Sequence, residues 1–369
     1  MRALAGDHQV TLLSFTDGSE PAEGRRELEK YCARLETVQL PRPRSWIQAW
    51  AGVFSWVPSQ VAFYRSGEMR ACVARALAAE RFDAIFVQLF RMAPYLEGVA
   101  HPAKVLFLAD SMAMNLSRAA RFQPRWRRLG MIWERWRVAR FEAHATRSFA
   151  ESWVVSAVDR DDLTQRGCAN VVAVPHGVDE RLFELVRRPG PTPCIVFLGN
   201  LAVPHNVDAA SYAAREILPE IRRHVPAARL RLVGAHPTPA VRGLSSLAGV
   251  EVTGSVPDLA PVWSGAHVLL APLRFSTGIQ NKVLEAMAAG VPVVTTPQVA
   301  EAMGARDGEL LRVGADTDAL ARAVEEILAH PEAAAPMVER ARRHARAHFS
   351  WAALARELER VARAASRAS

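Results

Sequence analysis

Lysine is almost missing from this chain. Of 46 basic residues only Lys30, Lys104 and Lys282 are lysines, so nearly all the positive charge is written as arginine. A compact ammonium at one of these three places is either a chemical choice or chance. Cysteine is scarce too. Cys32, Cys72, Cys168 and Cys194 stand far apart, which excludes a paired-cysteine metal site or redox dithiol and points to a reducing cytoplasm without a disulfide framework. There is no long hydrophobic run either: residues 45–64 contain Gln48, Ser55, Pro58, Ser59 and Gln60 and make a poor membrane span. Trp46, Trp50, Phe54 and Trp56 within it fit an interfacial helix, although a helix packed on its own domain is the simpler expectation. No signal-peptide pattern opens the sequence, since residues 1–5 run at once into the polar Gly6-Asp7-His8-Gln9.

What remains is a globular composition, 50% hydrophobic and 23% charged, and 369 residues are long for a single core. Two domains are expected. A formal charge of +8 permits nucleotides, anionic lipid or nucleic acid as partners, and an arginine-rich composition gives the same charge without any of them.

Apolar runs at 10–15, 84–88, 104–109, 153–156 and 171–174 are separated by helical patterns, which predicts a parallel sheet covered by helices. The turn cluster Pro175-His176-Gly177-Val178-Asp179 and the Arg- and Pro-rich residues 187–193 read as a linker. A second series follows: strands at 194–198, 229–233, 250–253, 267–273 and 291–295, a helix from about 207 to 224, and helices after 313. The expected domains are 1–176, a linker 177–193, a second α/β domain 194–348, and a C-terminal helix, 349–369, crossing back to the first.

Within the second series, LLAPLRFSTGIQNKVLEAMAAGVPVVTT (269–296) reads as strand, glycine turn, helix from about Ile279, glycine stop at Gly290, strand. Such a helix start favours an anion through its free N–H groups and dipole. Gly278, Lys282, Glu285 and Ala289 share one helix face, and a carboxylate there can accept hydrogen bonds from vicinal hydroxyls. An ordinary surface ion pair between Lys282 and Glu285, at i,i+3 spacing, explains the same pattern. Doubly wound sheets bind ligands at the C-terminal ends of their strands. Here those ends carry Gly199-Asn200, Gly234-Ala235-His236, Gly254 to Asp258 and Thr277-Gly278, where glycines admit a ligand or simply end strands.

FLGNLAVPHNVDA, LRLVGAHP, GVEVTGSVPDLAPVWSGAHVLLAPL, TGIQNKVLEAMAAGVPVV and HFSW together resemble glycosyltransferase family 4, the group 1 transferases of the GT-B fold. They look most like the branch associated with exopolysaccharide and exosortase (PEP-CTERM) systems. VPHGVDERLF at 174–183 is similar to the family's lead-in to the linker. The resemblance implies an α/β chain with two facing Rossmann-like domains. It also implies retaining transfer of a sugar from a nucleoside-diphosphate sugar to a polysaccharide or glycolipid precursor, without a bound metal or other cofactor. Glu285 would then bind the ribose, and the backbone of Gly278, Ile279 and Gln280, with Lys282, the diphosphate. Gly234, Val256 and Asp258 would surround the base.

Three departures qualify the likeness. Thr277 stands where many members have a donor-sugar carboxylate. Asn200 and His205, beside Gly199, replace the usual arginine and lysine, so Lys282, and His205 when protonated, are expected to compensate. Asp110, after the strand at 104–109, stands where many members have a histidine and is the candidate acceptor-side catalytic residue; a helix cap is the alternative. The first strand and glycine loop of the N-terminal domain are expected to be missing. That leaves a non-catalytic, degenerate homologue as an alternative, beside a sugar-nucleotide epimerase or phosphorylase of the same fold.

Nine arginines lie between 118 and 147, with Trp126, Trp133 and Trp136 at helical spacing and only Glu134 and Glu142 opposing. This basic aromatic helix fits contact with the inner face of an anionic membrane and a lipid-linked acceptor. The preferred reading turns the tryptophans inward and the arginines to water. No nucleic-acid motif accompanies the arginines.

Overall fold

The structure, a computed structural model, describes residues 2–18, 22–121, 123–275 and 278–368. By its contacts the chain divides into two compact units, Met1–Val174 with Trp351–Ser369, and Pro175–Ser350.

The first unit holds β1 (Thr11–Thr16), β2 (Arg34–Gln39), β3 (Ile85–Gln88), β4 (Lys104–Ala109), β5 (Glu151–Val154) and β6 (Val171–Ala173). All paired strands are parallel, β1 with β2 and β3-β4-β5-β6 in sequential order. Strand β2 has no counterpart in the sequence reading. Its residues, RLETVQ, put Arg34 and Glu36 into an ion pair on a half-buried strand, so the apolar run that betrays a covered strand never appears. The last helix, Trp351–Ala368, belongs to this unit, where Arg360 pairs with Glu151 at 2.8 Å and His8 meets Glu359 at 3.0 Å.

One expectation is reversed here. On the helix Arg125–Thr146, Trp126, Trp133 and Trp136 face outward, and so do Trp46, Trp50, Phe54 and Trp56. The inward positions of that helix are taken by Arg137, Val138, Glu142 and Ala145. Arg137 is buried and donates to the carbonyls of Ser55 (3.2 Å) and Val57 (2.9 Å), to that of Gly52, and to Ser59 Oγ (3.0 Å), fastening the turn after the helix Arg42–Gly52. A guanidinium with that many carbonyl partners is satisfied inside even beside Trp133, while Val138, Glu142 and Ala145 take the covered side and leave the tryptophans exposed.

The second unit holds β7 (Cys194–Leu198), β8 (Arg229–Val233), β9 (Val250–Gly254), β10 (Val268–Ala271), β11 (Val293–Thr295) and β12 (Arg312–Val313), all parallel. Their order is β12-β11-β10-β7-β8-β9, so the chain starts in the middle of the sheet and reverses direction between β7 and β10. Both central strands are uninterrupted apolar runs, as a sheet covered on two faces requires.

Candidate donor site

The strand order reverses between β7 and β10, and the C-terminal ends of these two strands are where a doubly wound sheet receives a ligand. Two helices start there. One is Pro204–Tyr212 after β7, with Pro204 in its first turn; the other is Asn281–Ala288 after β10. The second begins at Asn281 rather than Ile279, because Gly278 takes a left-handed φ of 71° and Gln280 is extended at the cap. It stops at Gly290, φ 69°. There Val291 N donates to Ala286 O (2.8 Å) and Gly290 N to Met287 O (3.1 Å), the paired closure that only a left-handed residue allows.

The two helix starts are joined by Lys282. Its Nζ donates to Asn206 Oδ1 (2.8 Å) and Gln280 Oε1 (3.3 Å) and lies 5.3 Å from the centre of the Phe197 ring. Asn206 in turn donates to Asn200 O (3.1 Å). Lys282 is therefore no surface residue, and among the described residues it makes no ion pair with Glu285; the surface-pair explanation fails. Burial pushes its ammonium down to about 7, against the pull of Glu285. Glu285 is pushed up to about 7, first by burial, with the Trp263 indole N–H and Lys282 pulling the other way and Asp179 adding to the rise. The indole lies close but off hydrogen-bonding geometry, and Glu285 Oε2 and Trp263 Nε1 are both buried without a hydrogen-bond partner. A cation held by neutral amides beside an unpartnered carboxyl is arranged for an anion with hydroxyls next to it.

The fold and the sequence of this half both have counterparts among known proteins. Residues 192–330 match the family described as "Glycosyl transferases group 1". This stretch is a group 1 glycosyl transferase domain. No curated protein matches the chain by sequence. Sucrose-phosphate synthase from Thermosynechococcus elongatus superposes with a TM-score of 0.72 at 18% identity, covering 100% of this chain and 92% of its own. The Anabaena protein HepE, solved in complex with UDP and glucose, gives 0.66 at 12% identity, over 95% and 99%. A trehalose 6-phosphate synthase from Burkholderia multivorans gives 0.63 at 12%, over 98% and 100%. At these identities the likeness is one of fold, and that fold is GT-B. The matched domain marks the protein as a glycosyltransferase.

The transferase domain brings most of the expected donor residues to one edge of its sheet. Gly199 and Gly234 touch across neighbouring strands, and a Cβ on Gly234 would lie 1.7 Å from Gly199 O. Gly234→Ala, at a φ of 150°, is expected to cost about 3 kcal/mol or more and to remove donor binding. Thermal melts check this, and an unchanged melting temperature counts against so close an approach of the two strand ends. Asn200 Oδ1 accepts from Ala202 N (3.0 Å), and Asp258 accepts from Ala260 N (3.0 Å) at the start of the helix Ala260–Gly265; both carboxamide and carboxylate are turn caps. Val256 and Ile279 are half-buried against the core. Thr277 lies outside the described residues.

His205 does not compensate for a missing cation. Burial, and then the charge of Lys282, push it down to about 4, so it is neutral near pH 7. Asn206 and Trp263 are neighbours of Lys282 and Glu285 in the candidate site that the sequence did not disclose. Nothing in one dimension separates a buried amide or indole at a site from one in a core.

In the other unit Asp110 follows Ala109, whose φ of 68° is left-handed, at the end of β4. Its carboxyl is pushed up to about 8 by burial and by the charge of Asp159, against a hydrogen bond from Asn115. The cap of the next helix is supplied by others: Ser111 Oγ accepts from Met114 N (3.2 Å), Asp159 from Ser111 N (2.8 Å) and Glu142 from Met112 N (2.9 Å).

Proposed function

We propose that the protein moves a sugar, with retention of configuration, from a nucleoside-diphosphate sugar to a polysaccharide or lipid-linked glycan precursor in the cytoplasm. The observation that carries this is the buried Lys282 ammonium between two helix starts, with neutral amides as its hydrogen-bond partners. A diphosphate supplies the charge that this ammonium lacks, and the free N–H groups of the helix at Asn281 supply further donors. Glu285 accepts hydrogen bonds from the ribose hydroxyls through the oxygen now unpartnered.

Catalysis then rests on the leaving group. As the bond from the anomeric carbon to the diphosphate oxygen breaks, Lys282 and the helix start hold the developing negative charge. The acceptor hydroxyl attacks from the same face, its oxygen forms the new glycosidic bond, and its proton passes to a phosphate oxygen of the donor. Asp110, neutral near pH 7, offers a hydrogen-bond donor on the acceptor side.

HepE was solved with UDP and with UDP-glucose, so UDP-sugars are the first probes. Calorimetry with UDP and GDP, followed by a screen of their sugars for slow hydrolysis, tests the reading. One site for one nucleoside diphosphate and release of that nucleotide from its sugar are expected. Absence of binding by either would sink it.

A further inference from the structure

Large apolar side chains are exposed in two stretches of the first unit, and the structure brings those stretches together. Trp50, Phe54 and Trp56 come from the helix Arg42–Gly52 and the turn after it, with Phe54 89% exposed. Trp126 and Leu129, 71% and 73% exposed, come from the helix Arg125–Thr146. Trp56 meets Trp136 at 5.0 Å and Trp133 at 5.9 Å in tilted pairs, Trp133 stacks on Trp136, and Trp133 Nε1 donates to Val53 O (3.0 Å). These three tryptophans form one aromatic cluster, with Trp50, Phe54 and Trp126 exposed on the elements that carry it. A patch of that size is unusual on a soluble face.

The charge around the patch has one sign. Arg125, Arg127, Arg128, Arg135 and Arg140 are exposed on the same helix, Arg127 over Trp126 and Arg140 over Trp136. Its two acids are turned away from them: Glu134 pairs with the buried Arg137 and accepts from Ser59 N (2.8 Å), while Glu142 is buried and pairs with Arg166 (2.9 Å). Guanidinium groups above apolar side chains match a phosphate headgroup above its acyl chains. Among the described residues no helix is long and apolar enough to cross a membrane, so the chemistry is that of a surface contact.

We propose that this face of the first unit docks on an anionic phospholipid bilayer, with the tryptophans at headgroup depth and Arg127 and Arg140, which lie over Trp126 and Trp136, meeting lipid phosphates. The docking deepens the reading of a lipid-linked acceptor and rests on it for its purpose, but its chemistry is independent of any transfer.

The full chain is sedimented with phosphatidylcholine vesicles, with and without phosphatidylglycerol, while tryptophan emission is recorded. Binding to the anionic vesicles with a blue shift is expected, weakened by salt. Trp50→Ser with Phe54→Ser and Trp126→Ser should lower that binding about tenfold or more. Arg127→Glu with Arg140→Glu should remove the preference for phosphatidylglycerol. Circular dichroism melts and calorimetric nucleotide affinity should be unchanged in both variants. Failure of nucleotide binding in the wild type with vesicle binding intact would overturn the proposed function alone. Equal binding to both vesicle types, no binding to either, or a wild-type dimer that the serine variant makes monomeric would each overturn the docking.

Discussion

Lys282→Met yields a protein that melts higher than the wild type near pH 7 and binds a nucleoside diphosphate roughly 10- to 150-fold more weakly. Methionine keeps the apolar stem against Phe197 and removes an ammonium whose depression from 10.5 to about 7 corresponds to about 5 kcal/mol. Part of that gain is lost because Asn206 Oδ1 and Gln280 Oε1 lose their donor, leaving a net stabilisation of about 1–3 kcal/mol. The sign follows from linkage. A folded value below the unfolded one gives stability that is present above pH 10.5 and declines as pH falls towards 7. The advantage of methionine over lysine therefore grows from pH 10 down to 7 and then levels off. Melting curves across that range test it; a difference independent of pH would mean that the ammonium is not desolvated. The loss of affinity is that of a charge-assisted hydrogen bond, about 1.5–3 kcal/mol.

Glu285→Gln is expected to lower kcat/KM for the nucleotide-sugar by about 100-fold or more, through two weakened hydrogen bonds to the ribose. It should not lower the melting temperature. The carboxyl is held up at about 7, above its ordinary value of 4.5, so whatever stability it carries is complete below pH 4.5 and is lost as pH rises through 7. Glutamine removes that loss. Donor binding needs Glu285 ionised and Lys282 protonated, so affinity should follow a narrow bell centred near pH 7, with apparent values belonging to the pair. Glu285→Gln flattens the acid limb and Lys282→Met the alkaline limb. An affinity in the wild type that is level from pH 6 to 8 would remove both residues from the site.

Much of this site was legible before any coordinates. Gly278 and Gly290 bracket the helix Asn281–Ala288 because a left-handed φ is needed at both ends, and glycine supplies it at little steric cost. The apolar runs of β7 and β10 announced a covered parallel sheet. Strand β2 was hidden because its alternating charged residues pair with one another instead of leaving an apolar trace. His205 read as a possible cation because protonation depends on burial, which a sequence position does not state. The tryptophans of Arg125–Thr146 shared a face in the sequence, but their periodicity was silent about which face the rest of the unit would cover.

The sequence by itself determined two series of parallel-strand units and a phosphate-ready helix start carrying Lys282 and Glu285. Local backbone preferences and strand periodicity act over a few residues, so they are written in order along the chain. Only the tertiary structure decided that Lys282 is buried against Asn206, 76 residues away in sequence, instead of paired with Glu285 one turn on. It also decided that Arg137 fastens the turn at 52–59 while Val138, Glu142 and Ala145 take the covered side of the helix and its tryptophans stay at the surface. Desolvation and the choice of a covered face come from elements remote in sequence, and they set charge and exposure.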